Sequence, residues 1–458
     1  MRVIILGAGQ VGFSIARYLA FEGNDITVVD QSPELLKKIS DKIDIQPVVG
    51  FASHPDTLKQ ARAENADMLI AVTGSDEVNM VACEVANSLF NVKTKIARIR
   101  HQSYLKNSWA NLFHPGKLSI DVVISPELEV AKALNRSTQV VGAFDVIPLA
   151  GDLMKVIGVK CMPGAPIINT PLRLMPNLFP RMELAILCIA RKDEVIFPTK
   201  HDVLFAGDEV HFLVERDKIN QAMEAFGYIN DQKHTIVVIG AGTIGFGLIQ
   251  EMEATQGNAS LKLIEKSPER AEMAARVLNK TDILCGDALD LEVLSEASVP
   301  NSEIVVSVTE DDKVNILSAL LCKQQGAKRV LTLLNNMTHS GLVSSLGVDA
   351  IINPRNITVS TILQHVRKGR IQSVHSLGDE YGEIIEAEAT ESSQIIGLSI
   401  DDVTIHGAII IAALIRGEEI VILPNRMVIN VGDRLVIVAK KEAVGKVEKL
   451  FSLRPSYL

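Results

Sequence analysis

Short apolar runs alternate with segments of helical period along the first 125 residues. Residues 2–6 (RVIIL), 26–30 (ITVVD), 45–49, 67–72, 95–99 and 120–124 read as strands. Between them apolar residues recur at helical spacing, as at Val78, Val81, Val85 and Leu89, a stripe expected to face a core. Nearly continuous apolar strands separated by helices predict a parallel sheet covered on both faces. Six strands in βα alternation predict a doubly wound, Rossmann-type domain. The same alternation returns between 235–239 and 349–352.

The second set of runs is a copy of the first. Gly7-Ala8-Gly9-Gln10-Val11-Gly12 recurs as Gly240-Ala241-Gly242-Thr243-Ile244-Gly245. Val72-Thr73-Gly74-Ser75-Asp76-Glu77-Val78-Asn79 recurs as Val308-Thr309-Glu310-Asp311-Asp312-Lys313-Val314-Asn315, and Gly50 and Leu58 match Gly286 and Leu294. A second type of segment also repeats: Arg191, Pro198 and Gly207-Asp208 align with Arg416, Pro424 and Gly432-Asp433. Order is kept while offsets drift, as expected of a duplication with small loop insertions. The organisation reads A-B-A-B, with limits near 1–140, 141–230, 231–368 and 369–458. The B units read as small α+β modules. In the second, residues 409–416 and 427–439 read as strands, with Gly432-Asp433 a turn before the last strand, and 441–451 as a helix with apolar Val444, Val447, Leu450 and Phe451. So small a module cannot cover all its apolar strands, so docking on a neighbouring unit or dimerisation is expected.

The glycine pattern carries the candidate chemistry. Gly7-x-Gly9-x-x-Gly12 lies directly after the first strand and opens the first helix. In such a turn Gly7 makes the bend, Gly9 lets backbone approach a pyrophosphate, and Gly12 lets helix and sheet pack closely. The helix N-terminus adds N–H donors and the positive end of its dipole. Asp30 closes the second strand, 18 residues beyond Gly12, and Glu265 stands 20 residues beyond Gly245. A carboxylate there suits ribose hydroxyls and repels a 2′-phosphate, and Gln31 rather than an arginine follows Asp30. NAD or an adenine nucleotide is therefore expected over NADP. Thr73-Gly74 and Thr309 follow a fourth strand, at the carboxyl edge where ligands sit in such sheets. Arg98, ending the fifth strand in IARIR, is placed to reach a phosphate, and Thr332 in VLTLL aligns with it in the second copy. The two sites are thus expected to differ in affinity or ligand.

Composition narrows the function. The 458 residues suggest about three or four domains. A net charge of −9 argues against a nucleic-acid partner. Mean hydropathy is high at +0.22, yet runs such as 407–415 fall short of the roughly 20 residues of a membrane span. The opening MRVIILGAGQ does not read as a signal peptide, so a cytoplasmic chain with reduced thiols is expected. Cys83, Cys161, Cys188, Cys285 and Cys322 read as small buried hydrophobes, and Trp109 as a core or interface anchor. The sequence holds no GxxxxGK[ST], GxSxG, CxxC or HExxH pattern, and His54, His101 and His114 read as surface or capping groups. No catalytic residue and no metal site is expected.

A GAGxxG Rossmann unit with an acidic second-strand terminus, followed by a small β-rich unit with an Arg…Pro…Gly-Asp pattern, resembles the RCK (regulator of potassium conductance) family, also described as KTN plus TrkA-C domains. The resemblance covers essentially the whole chain and implies two Rossmann-type RCK N domains, each followed by a small α+β RCK C domain. It implies a non-enzymatic regulatory subunit at the cytoplasmic face of a TrkH-type potassium channel or transporter, assembled as a homotetrameric ring. It carries nucleotide-site roles, for NAD(H) with ATP or ADP as the other candidates, to Gly7 through Val11, Asp30, Thr73, Gly74 and Arg98. In the second copy it carries them to Gly240 through Ile244, Glu265 and Thr309. The sequence departs from some potassium-channel relatives, which have Gly-Arg-x-Gly; Gln10 follows Gly9 here. The rival readings are an NAD-dependent oxidoreductase with duplicated Rossmann halves and a nucleotide sensor for another partner.

Overall fold

The computed structural model describes residues 1–451 except 22, 106, 114–116, 181, 193, 229–234, 258, 337–342, 344–345, 367–370, 378–381 and 406. His114 and the expected boundaries at 230/231 and 368/369 lie outside the described residues. By internal contacts the chain forms two compact units, Met1–Glu129 with Arg355–Val366, and Val130–Pro354 with Arg367–Leu458. No helix among the described residues is long and apolar enough to cross a membrane.

The first unit is built on six parallel strands, β1 (Arg2–Leu6), β2 (Asp25–Asp30), β3 (Gln46–Val49), β4 (Met68–Ala71), β5 (Thr94–Arg98) and β6 (Val122–Ile124), in the order β3-β2-β1-β4-β5-β6. The order reverses beside β1, which creates the crevice at the carboxyl edge. Strand β1 shows why the run is apolar throughout. Val3 and Ile5 enter one core with Ile15 and Leu19, whereas Ile4 and Leu6 enter the other with Leu69 and Cys83. The first of these layers also holds Val359, Ile362, Leu363 and Val366 of the Pro354–Val366 helix.

The Asp76–Phe90 helix corrects one expectation. Val78 and Val85 pack half-buried against the core as expected, but Val81 and Leu89 of the same stripe are 48% and 59% exposed. The helix instead buries Asn79, Ala82, Cys83 and Ala86, small residues at i, i+3, i+4 and i+7 that seat it close on the sheet. The Asp312–Gln325 helix repeats the choice with Asn315, Ser318, Ala319 and Cys322. Trp109 is also exposed rather than a core anchor. Four cysteines are buried as expected, but Cys285 is exposed, because it ends an edge strand.

The second unit contains the duplicate sheet, β12 (Thr235–Ile239), β13 (Ser260–Glu265), β14 (Thr281–Cys285), β15 (Ile304–Ser307), β16 (Arg329–Leu333) and β17 (Ala350–Ile352), in the order β14-β13-β12-β15-β16-β17. It also contains two antiparallel sheets. One comprises β7 (Ala143–Leu149), β8 (Met154–Lys160), β9 (Leu184–Arg191), β10 (Glu194–Ile196) and β11 (Glu209–Glu215), in the order β10-β9-β11-β8-β7. The other comprises β18 (Ile371–Ser376), β19 (Glu383–Glu388), β20 (Ile409–Arg416), β21 (Glu419–Ile422) and β22 (Arg434–Ala439), in the order β18-β19-β22-β20-β21. Read from opposite edges, these are the same topology. Residues 427–431 are not a strand as expected, apart from a bridge at Val428, whereas the expected Gly432-Asp433 turn stands before the ladder that starts at Arg434.

Each antiparallel sheet packs one face on its own helix, through Phe226 and Ala222 in the first and Val444 and Val447 in the second. The opposite faces share a single core, in which Ile147, Leu187 and Leu213 meet Ile384, Ala413 and Val438. The apolar excess of the modules is covered by docking one on the other. Residues 130–140 pack beside the duplicate sheet, where buried Arg329 donates to the carbonyls of Ser137, Val140 and Ala143. A guanidinium thereby binds carbonyls at and just beyond the C-terminus of the Pro126–Gln139 helix, where cations are favoured. Burial lowers this guanidinium's pKa to about 10, so it remains charged near neutral pH.

The Arg…Gly-Asp repeat is an ion pair. Arg191 donates from Nε and Nη2 to the Asp208 carboxylate at 2.8 and 2.6 Å, and Nη2 also reaches the Val203 carbonyl. Arg416, Asp433 and Val428 repeat every contact. Each aspartate also accepts a turn N–H, from Phe205 or Asn430, and is nearly inaccessible. Removing the arginine strands a buried carboxylate. Arg191→Ala should therefore cost about 2–4 kcal/mol in urea unfolding, with a double-mutant cycle against Asp208→Asn recovering part of it. A loss below about 0.5 kcal/mol would reduce the pair to a surface contact.

Candidate functional site

The first cradle is assembled at the carboxyl edge of β1, β2, β4 and β5. Gly7 leaves β1 with φ +110°, a conformation that costs glycine little, and its N–H still donates to Val29. Gly12 lies directly above it: a Cβ there would stand 1.9 Å from the Gly7 carbonyl oxygen. Glycine is required by contact, not by flexibility. Gly9 is the opposite case, since a Cβ added there meets nothing within 4 Å. Gly9 and Gln10 are exposed, Val11 is half-buried, and Gln10 begins the Gln10–Phe21 helix. The turn thus presents an open backbone at a helix N-terminus, the geometry that accepts phosphate oxygens.

Asp30 fixes this turn. Its carboxylate accepts the N–H of Ala8 at 2.7 Å and that of Ser32 at 2.8 Å. Ser32 in turn caps the Pro33–Ser40 helix through its hydroxyl. The residue expected to meet ribose therefore also ties the glycine turn to the next loop.

On the other side of the crevice, Thr73 is held by Asn79, whose side-chain oxygen accepts the Thr73 N–H at 3.0 Å and hydroxyl at 2.6 Å. The Asn79 amide donates to the Arg98 carbonyl, and Arg98 Nη2 donates to the Thr73 carbonyl at 2.9 Å. Gly74 is exposed, with nothing within 4 Å of an added Cβ. Burial lowers the Arg98 pKa from its ordinary value, with the neighbouring Arg100 charge contributing, and its buried Nε has no hydrogen-bond partner. Asp76 accepts the N–H groups of Arg100 and His101, and Arg100 Nε donates to Glu127 at 2.8 Å.

The second cradle repeats the frame. Gly240 has φ +101°, and a Cβ on Gly245 would stand 1.9 Å from its carbonyl oxygen. Glu265 accepts the N–H groups of Ala241 at 2.6 Å and Ser267 at 2.8 Å. Gly242, Thr243 and Ile244 open the Thr243–Thr255 helix. Asn315 holds Thr309 through its N–H and hydroxyl, both at 2.7 Å, and Asp312 accepts the N–H groups of Asn335 and Asn336.

The alignment of Arg98 with Thr332 is corrected by one position. Asn79 donates to the Arg98 carbonyl and Asn315 to that of Leu333, and the strand registers agree. Leu333 is the true counterpart, whereas Thr332 is wholly buried in the sheet. The second cradle still lacks the cation. Sequence reasoning also gave no role to Asp76, Asn79 and their copies, although their identity in both repeats was a visible signal. No group of three or more His, Cys, Asp or Glu able to hold a metal occurs among the described residues.

A family profile described as the TrkA-N domain matches residues 3–126 and 236–354, and one described as the TrkA-C domain matches 384–452. Trk system potassium uptake protein TrkA of Azorhizobium caulinodans is 43% identical over 451 residues, covering 98% of both chains. The protein of the same name in Halomonas elongata is 38% identical, covering 99% of both. Among solved structures, the GsuK RCK domain superposes with a TM-score of 0.60 at 17% identity, covering 98% of this chain and 94% of that one. The GsuK channel bound to NAD gives 0.59, also at 17%, covering 98% and 78%. At that identity the likeness shows the fold alone. Two Rossmann units, each followed by an antiparallel module, define a tandem RCK-type protein. The chain belongs to the TrkA family.

The two glycines separate by substitution. Gly12→Ala should lower stability by about 3 kcal/mol or more, because backbone must move to admit the methyl group. Gly9→Ala should change it by less than about 1 kcal/mol. Equal melting curves for the two variants would contradict the close approach of Gly12 to Gly7.

Proposed function

We propose that this chain is a nucleotide-binding regulatory subunit, cytoplasmic and peripheral to the membrane, that gates a TrkH-type potassium channel or transporter and is not itself an enzyme. The reading is carried by the glycine turn, built twice and flanked by Arg98 in the first copy, in a chain whose curated relatives are potassium uptake proteins. In this reading the four modules are 1–140, 141–230, 231–368 and 369–458, and the chain assembles as a homotetramer. The ligand is NAD(H), ATP or ADP. Its phosphates meet the turn at Gly7 to Gly12 and Arg98, its ribose meets Asp30, and Thr73 and Gly74 line the opposite wall. Gly240 to Gly245, Glu265 and Thr309 form the weaker or differently selective second site.

Regulation follows from linkage. A nucleotide moves the assembly only by binding its conformations unequally, and a differential of about 1–3 kcal/mol gives a several-fold to hundred-fold effect. Asp30 is a poor probe, because removing it also frees Ala8 and Ser32. Gly9→Asp is better: the site has room for a side chain, and the added carboxylate repels phosphate. In cells lacking the chain and starved of potassium, the intact chain should restore uptake. The Gly9→Asp chain should melt normally, lose nucleotide heat in calorimetry and alter uptake. Normal uptake without the chain in cells with no second uptake system, or full nucleotide affinity in Gly9→Asp, would overturn the proposal.

A further inference from the structure

The wall facing the second glycine turn carries a charge that the first lacks. The residue after Thr309 is Glu310, and its counterpart after Thr73 is Gly74. Glu310 extends toward the turn: a Cβ added to Gly242 would meet its Oε1 at 4.0 Å. Gly242 is the N-cap of the Thr243–Thr255 helix and the counterpart of Gly9. At Gly9 and at Gly74 an added Cβ meets nothing within 4 Å. One glycine turn is therefore open, and the other faces a carboxylate.

The same carboxylate is engaged from a further loop. Arg270 Nη1 stands 3.9 Å from Glu310 Oε1. Arg270 lies in the first turn of the Pro268–Val277 helix, just beyond the Ser267 whose N–H Glu265 accepts. Its counterpart in the first copy is Leu35, since residues 30–35 (DQSPEL) match 265–270 (EKSPER). The Arg270–Glu310 pair thus joins the segments that follow β13 and β15, and the first cradle has neither member. Arg270 is held by this carboxylate, so its charge is offset before a ligand arrives. Lys266, the other cation gained there, donates to Asp287 at 2.8 Å.

A helix N-terminus favours an anion. At the first turn that anion must come from outside, whereas at the second the chain supplies one. A phosphate seated on the Gly242 backbone would meet the Glu310 charge at close range, with Leu333 in place of Arg98 to offset it. Placing like charges together is an established route to rejecting a ligand. We propose that Glu310 is a specificity-determining residue of the second cradle, whose carboxylate excludes phosphate-bearing ligands from the glycine turn. ADP and NAD then occupy the first cradle alone at concentrations that fill it. The proposal rests on the nucleotide reading of the cradles.

The test is calorimetric titration of the full-length chain with ADP and with NAD. The intact chain should take up one ligand per chain. Gly9→Asp closes the first turn and isolates the second. Added to that change, Glu310→Gly should tighten both ligands by about tenfold or more. Glu310→Gln, which keeps the bulk and removes the charge, should tighten them by a smaller factor that shrinks as salt is raised. The reciprocal change, Gly74→Glu in the otherwise intact chain, should weaken both ligands at the first cradle. The Glu310 side chain is 83% exposed, so its variants should melt as the intact chain does. Two equal sites in the intact chain, or no gain from either Glu310 substitution, would overturn the role of Glu310. Absence of binding of both ligands to the intact chain would overturn the nucleotide reading of the first cradle, and this proposal with it.

Discussion

At each cradle the α-carbon of one glycine rests against the carbonyl of another, Gly12 on Gly7 and Gly245 on Gly240. No side chain fits in that gap, so the first helix can approach its sheet only through glycine. This approach sets where the helix begins and therefore where its free N–H groups point. Asp30 and Glu265 complete the constraint by holding the turn to the loop after the second strand. The cradle is rigid because carboxylate, turn and helix cap fix one another, and a ligand entering it pays little ordering entropy.

The two cradles share this frame and differ in what surrounds it. Arg98 and Arg100 in the first correspond to Leu333 and Asn335 in the second. The frame is backbone geometry closed by a carboxylate, aspartate in one copy and glutamate in the other. The surrounding charge lies on side chains outside this frame, and it is there that the two copies differ.

The six-stranded sheets, the glycine turns and the tandem plan were legible in the sequence, because two-sided burial leaves long apolar runs and the special turn leaves a fixed glycine spacing. Strand register was not legible. In VLTLL every position is buried, so no alternation marks which residue meets the crevice, and the counterpart of Arg98 was placed one residue early. The double duty of Asp30 was hidden because its partners are backbone N–H groups, which leave no trace in sequence. Val81 and Leu89 misled for a related reason: helical spacing identifies an apolar face, but close packing chose the smaller residues beside it. Asp76 and Asn79 were visible as repeated letters, yet only the hydrogen bonds to the neighbouring strand's exit loop give them meaning.

The shared core between the two antiparallel sheets has a further consequence. Two separate copies meeting across such a face would form a symmetric dimer, in which any mutation is made twice and must suit itself across the axis. Joined in one chain, the sheets meet as if at roughly millimolar concentration, so their association resists dilution. Each face is also released from self-complementarity: Ile147 and Leu187 on one side need to match only what the other side presents. Covalent fusion turns a symmetric contact into a permanent partnership of unlike halves, which allows a protein of this kind to answer differently from its two ends.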